Sequence, residues 1–168
     1  MSGAAQSVSS RQPGVSFHEL FAYTDWLAQR WFTYFEKHPA ALDVEIGGRT
    51  GTMRELVLHI CRAEDNLVRM LRNEPRDTER NVEGSVSALR AFHQENHGRL
   101  AEFMSQMTET TLNEQAEFYG GRKASKRKVL TQIYLHCVHH WAQVAIEVRQ
   151  AGFPTSTPQD IILTDVME

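Results

Sequence analysis

Four stretches of the chain, each about 20 residues long, carry a single apolar stripe at helical spacing, a pattern that few architectures other than a helical bundle can bury. Two of them are announced by a capping box, a hydroxyl followed three residues later by a carboxylate. Ser16-Phe17-His18-Glu19 opens the first. Phe17, Leu20, Phe21, Tyr23, Trp26, Leu27, Trp31, Phe32 and Phe35 follow on one broad face, and His38-Pro39 marks the exit. Thr52-Met53-Arg54-Glu55 opens the second, whose stripe is Met53, Leu56, Ile60, Ala63, Leu67, Met70 and Leu71, ending near Asn73 to Pro75.

The third helix is expected from about Ser85 to Met107, with Val86, Leu89, Phe92, Leu100, Phe103, Met104 and Met107 inward and His93 and Asn96 on the same stripe. Between Thr108 and Ser125 the helical period breaks, and Gln115 to Tyr119 alternates loosely before Gly120-Gly121, as a short extended excursion or a loop would. The last helix runs from about Lys126 to Gln150, where Gly152 and Pro154 stop it. Four such helices predict an all-α, antiparallel four-helix bundle, with the long third connection leaving its order open. Residues 1–15 read as a flexible tail and residues 16–168 as one domain, with the apolar cluster Ile161 to Leu163 able to dock on the body.

Composition narrows the function classes. A formal charge of −3, from 21 acidic and 18 basic residues, gives no overall field for a nucleic-acid backbone. Neither an apolar signal segment nor a run of about 18 apolar residues is present, so no membrane span is expected. Cys61 and Cys137 form no Cys-x-x-Cys pair and read as reduced thiols in a cytoplasm. Glu-x-x-His, His-Glu-x-x-His, P-loop, Gly-x-Gly-x-x-Gly and Gly-x-Ser-x-Gly patterns are all absent, which removes the usual supports of di-iron, phosphoryl-transfer, nicotinamide and α/β-hydrolase chemistry.

Eight histidines are the excess, and three fall within five positions of the last helix. With Ile133 at the centre of its inner face, Val129, His136, Cys137, His140, Val144 and Val148 lie within about 60°, whereas His139 falls about 120° away, at a surface or an interface. His136 and His140, at i and i+4, have the spacing that lets two imidazoles hold one ion. His59, on the flank of the second helix, is the best cross-helix third ligand. Glu64 lies on the opposite flank and is not assigned. His93 and His97 offer the same i, i+4 spacing, His97 near the edge of its stripe, and a hydrogen-bonded histidine seam without metal is the plainer alternative. Spacing does not choose among these.

Taken together, Leu56-Val-Leu-His59-Ile, His136-x-x-His139-His140-x-x-Gln143, Gly152-Phe-Pro and Asp160-Ile-Ile-Leu163 resemble the DinB/YfiT-like family of metal-binding four-helix bundles, over about Phe17 to Leu163. The resemblance implies His59, His136 and His140 as metal ligands with a position left open, and disfavours His93 and His97. It also implies dimerisation through helices, with His139 and Trp141 as candidate contacts. Family members often carry Arg-Gly where this chain has Trp141-Ala142, which puts any substrate contact by that arginine in doubt; Gln143 is kept, three residues beyond His140, where it can orient an imidazole.

The expected function is then metal-dependent chemistry on a small molecule, as a hydrolase or as a transferase using a low-molecular-weight thiol, the latter implied by the resemblance. The alternative is a non-catalytic metal- or ligand-binding dimer, such as one serving a stress response. One divalent transition metal is expected, zinc or nickel first, although imidazoles also suit copper and iron. Arg122, Lys123, Lys126, Arg127 and Lys128 crowd the start of the last helix, where the dipole already favours anions, and read either as a seat for an acidic ligand or as a solvated charge run.

Overall fold

In a computed structural model of the chain, the described residues are 14–47, 51–118, 121–154 and 159–166; the expected tail lies outside them apart from Gly14 and Val15. The helices are α1 (Phe17–Lys37), α2 (Met53–Leu71), α3 (Val86–Gln106), the short α4 (Glu109–Asn113) and α5 (Lys126–Gln150). Both capping boxes form. The Ser16 hydroxyl accepts from the Glu19 N–H and the Glu19 carboxylate accepts from the Ser16 N–H, and Thr52 and Glu55 repeat the exchange. At the far end of α5, Gly152 turns to φ +81° while its N–H reaches the Arg149 carbonyl and the Phe153 N–H reaches that of Val148. That double closure satisfies carbonyls the helix end would otherwise leave open.

The four long helices form the expected four-helix bundle, two running up and two down, and their order is what the sequence left open. α1 packs on α3 and α5, and α2 packs on the same two, so α1 and α2 sit on opposite corners. Phe21 meets His97 while Glu36 meets Arg90, hence α1 and α3 are antiparallel. Cys61 meets Leu89 and Arg72 meets Glu102, hence α2 and α3 run parallel. Phe17 meets Tyr134 and Trp31 meets Trp141, so α1 and α5 are parallel as well. The bundle therefore runs up, down, down, up.

That order demands long connections. After α1, a 3-10 turn over Pro39–Asp43 and a two-residue ladder of β1 (Glu45–Ile46) with β2 (Gly51–Thr52) carry the chain across the end of the bundle, burying Leu42 and Ile46. After α2, the chain returns along the bundle before α3, with the Arg54 guanidinium donating to the Gly84 carbonyl. The broken stretch before α5 is neither a plain loop nor one strand. It holds α4 and then a hairpin of β3 (Gln115–Phe118) and β4 (Arg122–Ser125), in register Gln115↔Ser125, with Ala116 and Leu112 buried.

Two apolar clusters fill the interior. One gathers Leu27, Trp31, Phe32, Phe35, Leu56, Ile60, Leu89, Phe92, Trp141 and Val144; the other gathers Leu67, Val68, Leu71, Leu100, Met104, Val129, Leu130 and Ile133. Burying one such side chain is worth about 1.5–3 kcal/mol. Between the clusters lies a layer of buried polar residues, Glu64, His93, Asn96 and His97, with Asp65 beside it on α2. In α2 the stripe is shifted from the expected one: Val57, Cys61 and Glu64 are buried, whereas Ala63 and Met70 are only partly so. Packing against two neighbours at once widens and turns the buried face.

The segment after α5 docks in part. Phe153 and Ile161 pack against the first cluster, and the Tyr23 hydroxyl donates to the Gln159 carbonyl, while Ile162 and Leu163 stay exposed. Among the described residues no helix is long and apolar enough to cross a membrane.

Candidate metal centre

The α2/α5 seam brings His59, His136 and His140 together. One nitrogen of each lies within 4.8 Å of the others, and the ring centroids are 5.3 Å apart for His59 and His136, 4.9 Å for His59 and His140, and 4.2 Å for His136 and His140. His59 is exposed and the α5 pair half-buried, so the cluster lies at the flank of the helix contact rather than on the inner face expected for His136 and His140. The buried face of α5 centres nearer Cys137 and Val144, because the helix packs on α1 as well as α2.

Gln143, one turn on, fixes the orientation. Its Oε1 is 2.6 Å from His140 Nδ1 and its Nε2 is 3.3 Å from His139 Nε2. An amide oxygen only accepts, so His140 Nδ1 carries the proton and Nε2 is left with its lone pair. His139 thus has a place in the site that its outward angle concealed: it accepts from the amide that holds His140.

The electrostatics favour neutral rings. Desolvation, then the like charges of His140, His59 and His139, push His136 down to about 4. Desolvation lowers His59. His140 is lowered by desolvation as well, against the Gln143 hydrogen bond that raises it. Three unprotonated imidazoles at neutral pH are the ligand state a transition metal requires, so the donor set fits such an ion without a prior proton loss. Three imidazoles around such an ion would leave a position open to solvent or substrate.

Other expected residues fall elsewhere. Trp141 is not on a flank available to a second subunit: it is 1% exposed, stacked 6.3 Å from Trp31 and edge-on to Phe32. His97 is not at an edge but buried, beside His93 and Glu64. Two of the five residues of the basic run are spent on ion pairs. Lys126 is buried and donates to Glu114 at 2.8 Å, and Arg127 pairs with Glu109, leaving Arg122, Lys123 and Lys128 around a shallow cleft. Cys61 and Cys137 are both free and buried, and burial first, then the Glu64 charge, pushes their thiols well up.

Among the solved structures that resemble the chain, two are informative. A DinB-like protein, YjoA, from Bacillus subtilis shares 20% identity at a TM-score of 0.58, over 84% of this chain and 92% of its own. YfiT from Bacillus subtilis, described as a probable metal-dependent hydrolase with an unusual four-helix bundle topology, shares 16% identity at a TM-score of 0.64, over 86% and 94%. At such identities the likeness concerns the fold. No protein of curated function matches in sequence. The DinB family, however, matches residues 6–163, nearly the whole length, and the chain belongs to that family.

Proposed function

We propose that the protein holds one divalent transition metal, zinc or nickel, at His59, His136 and His140 and uses it to activate water against a small electrophilic substrate. The observation that carries this reading is the convergence of three neutral imidazoles from two helices at the solvent-facing edge of a rigid seam. The ion supplies Lewis-acid activation of a nucleophile or polarisation of a carbonyl. The protein's own contributions are separable. His136 and His140 are held one turn apart by α5, His59 comes from α2, and Gln143 sets the ring of His140. The resemblance of the fold to YfiT, itself a probable metal-dependent hydrolase, supports hydrolysis ahead of other chemistry.

A low-molecular-weight thiol is the second nucleophile the site would accept. It has to arrive from solution, because both cysteines of the chain are buried with their thiols pushed up. The test is elemental analysis joined to turnover. Protein loaded with Zn2+ or Ni2+ is offered ester and amide substrates, then a thiol with an electrophile, beside His136→Ala and His59→Ala. Metal-dependent turnover lost in both variants is expected. Metal that stays bound in full without His136 overturns the ligand assignment. Metal that binds and supports no turnover leaves the non-catalytic module as the function.

A further inference from the structure

The buried polar layer between the two apolar clusters is more than a seam. The geometry points to a second divalent-cation site, formed by Asp25 of α1 with His93 and His97 of α3 and backed by Glu64 of α2. It is separate from the three-histidine cluster and does not depend on it.

One ligand atom from each of Asp25, His93 and His97 lies within 4.8 Å of the other two. Asp25 Oδ1 is 3.3 Å from His93 Nε2 and 3.9 Å from His97 Nδ1. Bonds of about 2.0–2.1 Å to a tetrahedral ion set ligand atoms about 3.4 Å apart, so only small ring movements separate this arrangement from coordination. Two histidines and one carboxylate on one side of an ion are a donor set for zinc, manganese, cobalt or ferrous iron.

The opposite edges of both rings face Glu64, which is 1% exposed. Its Oε2 lies 3.0 Å from His93 Nδ1, which directs His93 Nε2 at Asp25. Its Oε1 and His97 Nε2 face each other at 3.6 Å, and both are buried atoms without a hydrogen-bond partner. A ring drawn toward an ion through Nδ1 needs its other nitrogen anchored, and this orphaned pair, a few tenths of an ångström beyond hydrogen-bond length, is placed to do that. Carboxylates that accept from the far nitrogen of a ligating histidine are the recurring support of metal sites.

Charge and access agree. Desolvation opposes a charge on His93, but the Glu64 carboxylate and the hydrogen bonds to Asp25 and Glu64 raise it to about 9, so a proton on that ring balances buried Glu64 in the metal-free layer. A divalent cation would displace that proton and neutralise both carboxylates. Asp25, with its side chain 44% exposed, opens on a groove of about 810 Å3 walled by Phe21, Trp26 and Arg30. Phe21 stacks on His97 at 4.3 Å, closing the apolar side of the site.

Titration of metal-free protein with Co2+ or Zn2+, read by elemental analysis and by the cobalt visible bands, tests this. Wild type is expected to bind two equivalents, Asp25→Ala one and His136→Ala one, with the Asp25→Ala site weakened at least tenfold. Asp25 is half-exposed, so its variant is the one expected to fold; His97→Gln, checked by circular dichroism, is the second. One wild-type equivalent that His136→Ala abolishes overturns the second site and leaves the proposed function standing. One equivalent that Asp25→Ala abolishes and His136→Ala retains supports the second site and overturns the function. Two equivalents untouched by both Asp25→Ala and His97→Gln overturn the second site, and a wild type that binds none overturns both readings.

Discussion

Replacing Trp141 with alanine separates packing from chemistry at the residue beside His140. The indole is 1% exposed, parallel to Trp31 at 6.3 Å and 3°, and edge-on to Phe32 at 5.9 Å and 84°. Truncating a buried Trp or Phe costs about 3–5 kcal/mol, through lost transfer energy and the cavity left behind. Each aromatic pair adds about 0.5–1.5 kcal/mol beyond area, which places Trp141→Ala toward the upper end of that range. Against a total stability of about 5–15 kcal/mol, this is a third or more, and it lowers Tm by roughly 10–15 °C for a chain of this length. Urea unfolding followed by far-UV circular dichroism is the assay, since fluorescence would change with the indole itself. Trp26→Ala, on the partly exposed side of α1, is the control and costs less. A loss below about 1 kcal/mol for Trp141→Ala would refute the placement of this side chain at the centre of the larger cluster.

Three further outcomes follow from the same geometry. Asp65→Ala removes the buried carboxylate that lies 2.9 and 2.7 Å from Arg69 and Arg99, leaving Arg69 with Asp77 and Arg99 with Glu74, and should cost about 2 kcal/mol by urea unfolding; a loss within experimental error would show the pairs to be solvated. Gln143→Ala, which frees His140 Nδ1, should weaken metal binding at the three-histidine site about 10–100-fold by calorimetry, with unfolding unchanged. Burial raises both thiols, so raising the pH toward 9 should not make native Cys61 or Cys137 react with a thiol reagent, whereas both should react at once in guanidinium; fast labelling of the native protein would contradict their burial.

Much of this could be read from the chain, and the misses have a common cause. The capping hydroxyls of Ser16 and Thr52 and the stop at Gly152 act on neighbours in sequence, so their signals are local and the helix ends fall where they predict. The i, i+4 pair His136 and His140 is local too. His59 is a candidate by its place on the flank of the second helix and is preferred through the family resemblance, and the structure does bring its ring to theirs. The order of the helices was not legible, because a stripe says which face is buried and nothing about the neighbour that buries it. Trp141 was misplaced for that reason: a single stripe centred on Ile133 cannot register that α5 is covered by α1 as well as α2. His97 was discounted because α3 buries polar side chains, and an apolar stripe is blind to a polar one. The hairpin before α5 left only a loose alternation, since its pairing joins residues on either side of a turn.

The polar layer also bears on how the molecule opens. Apolar contacts are continuous within each of the two clusters, and Glu64, Asn96, His93 and His97 interrupt them between Cys61 and Leu67 of α2 and between Phe92 and Leu100 of α3. A break of that kind divides a domain into cooperative units that unfold at different free energies. Amide hydrogen exchange in α5 should then separate into two classes, with Val129 to Tyr134 exchanging as one block and Cys137 to Val148 as another. The half that carries the three histidines would keep its shape while the half closed by α4 and the hairpin breathes.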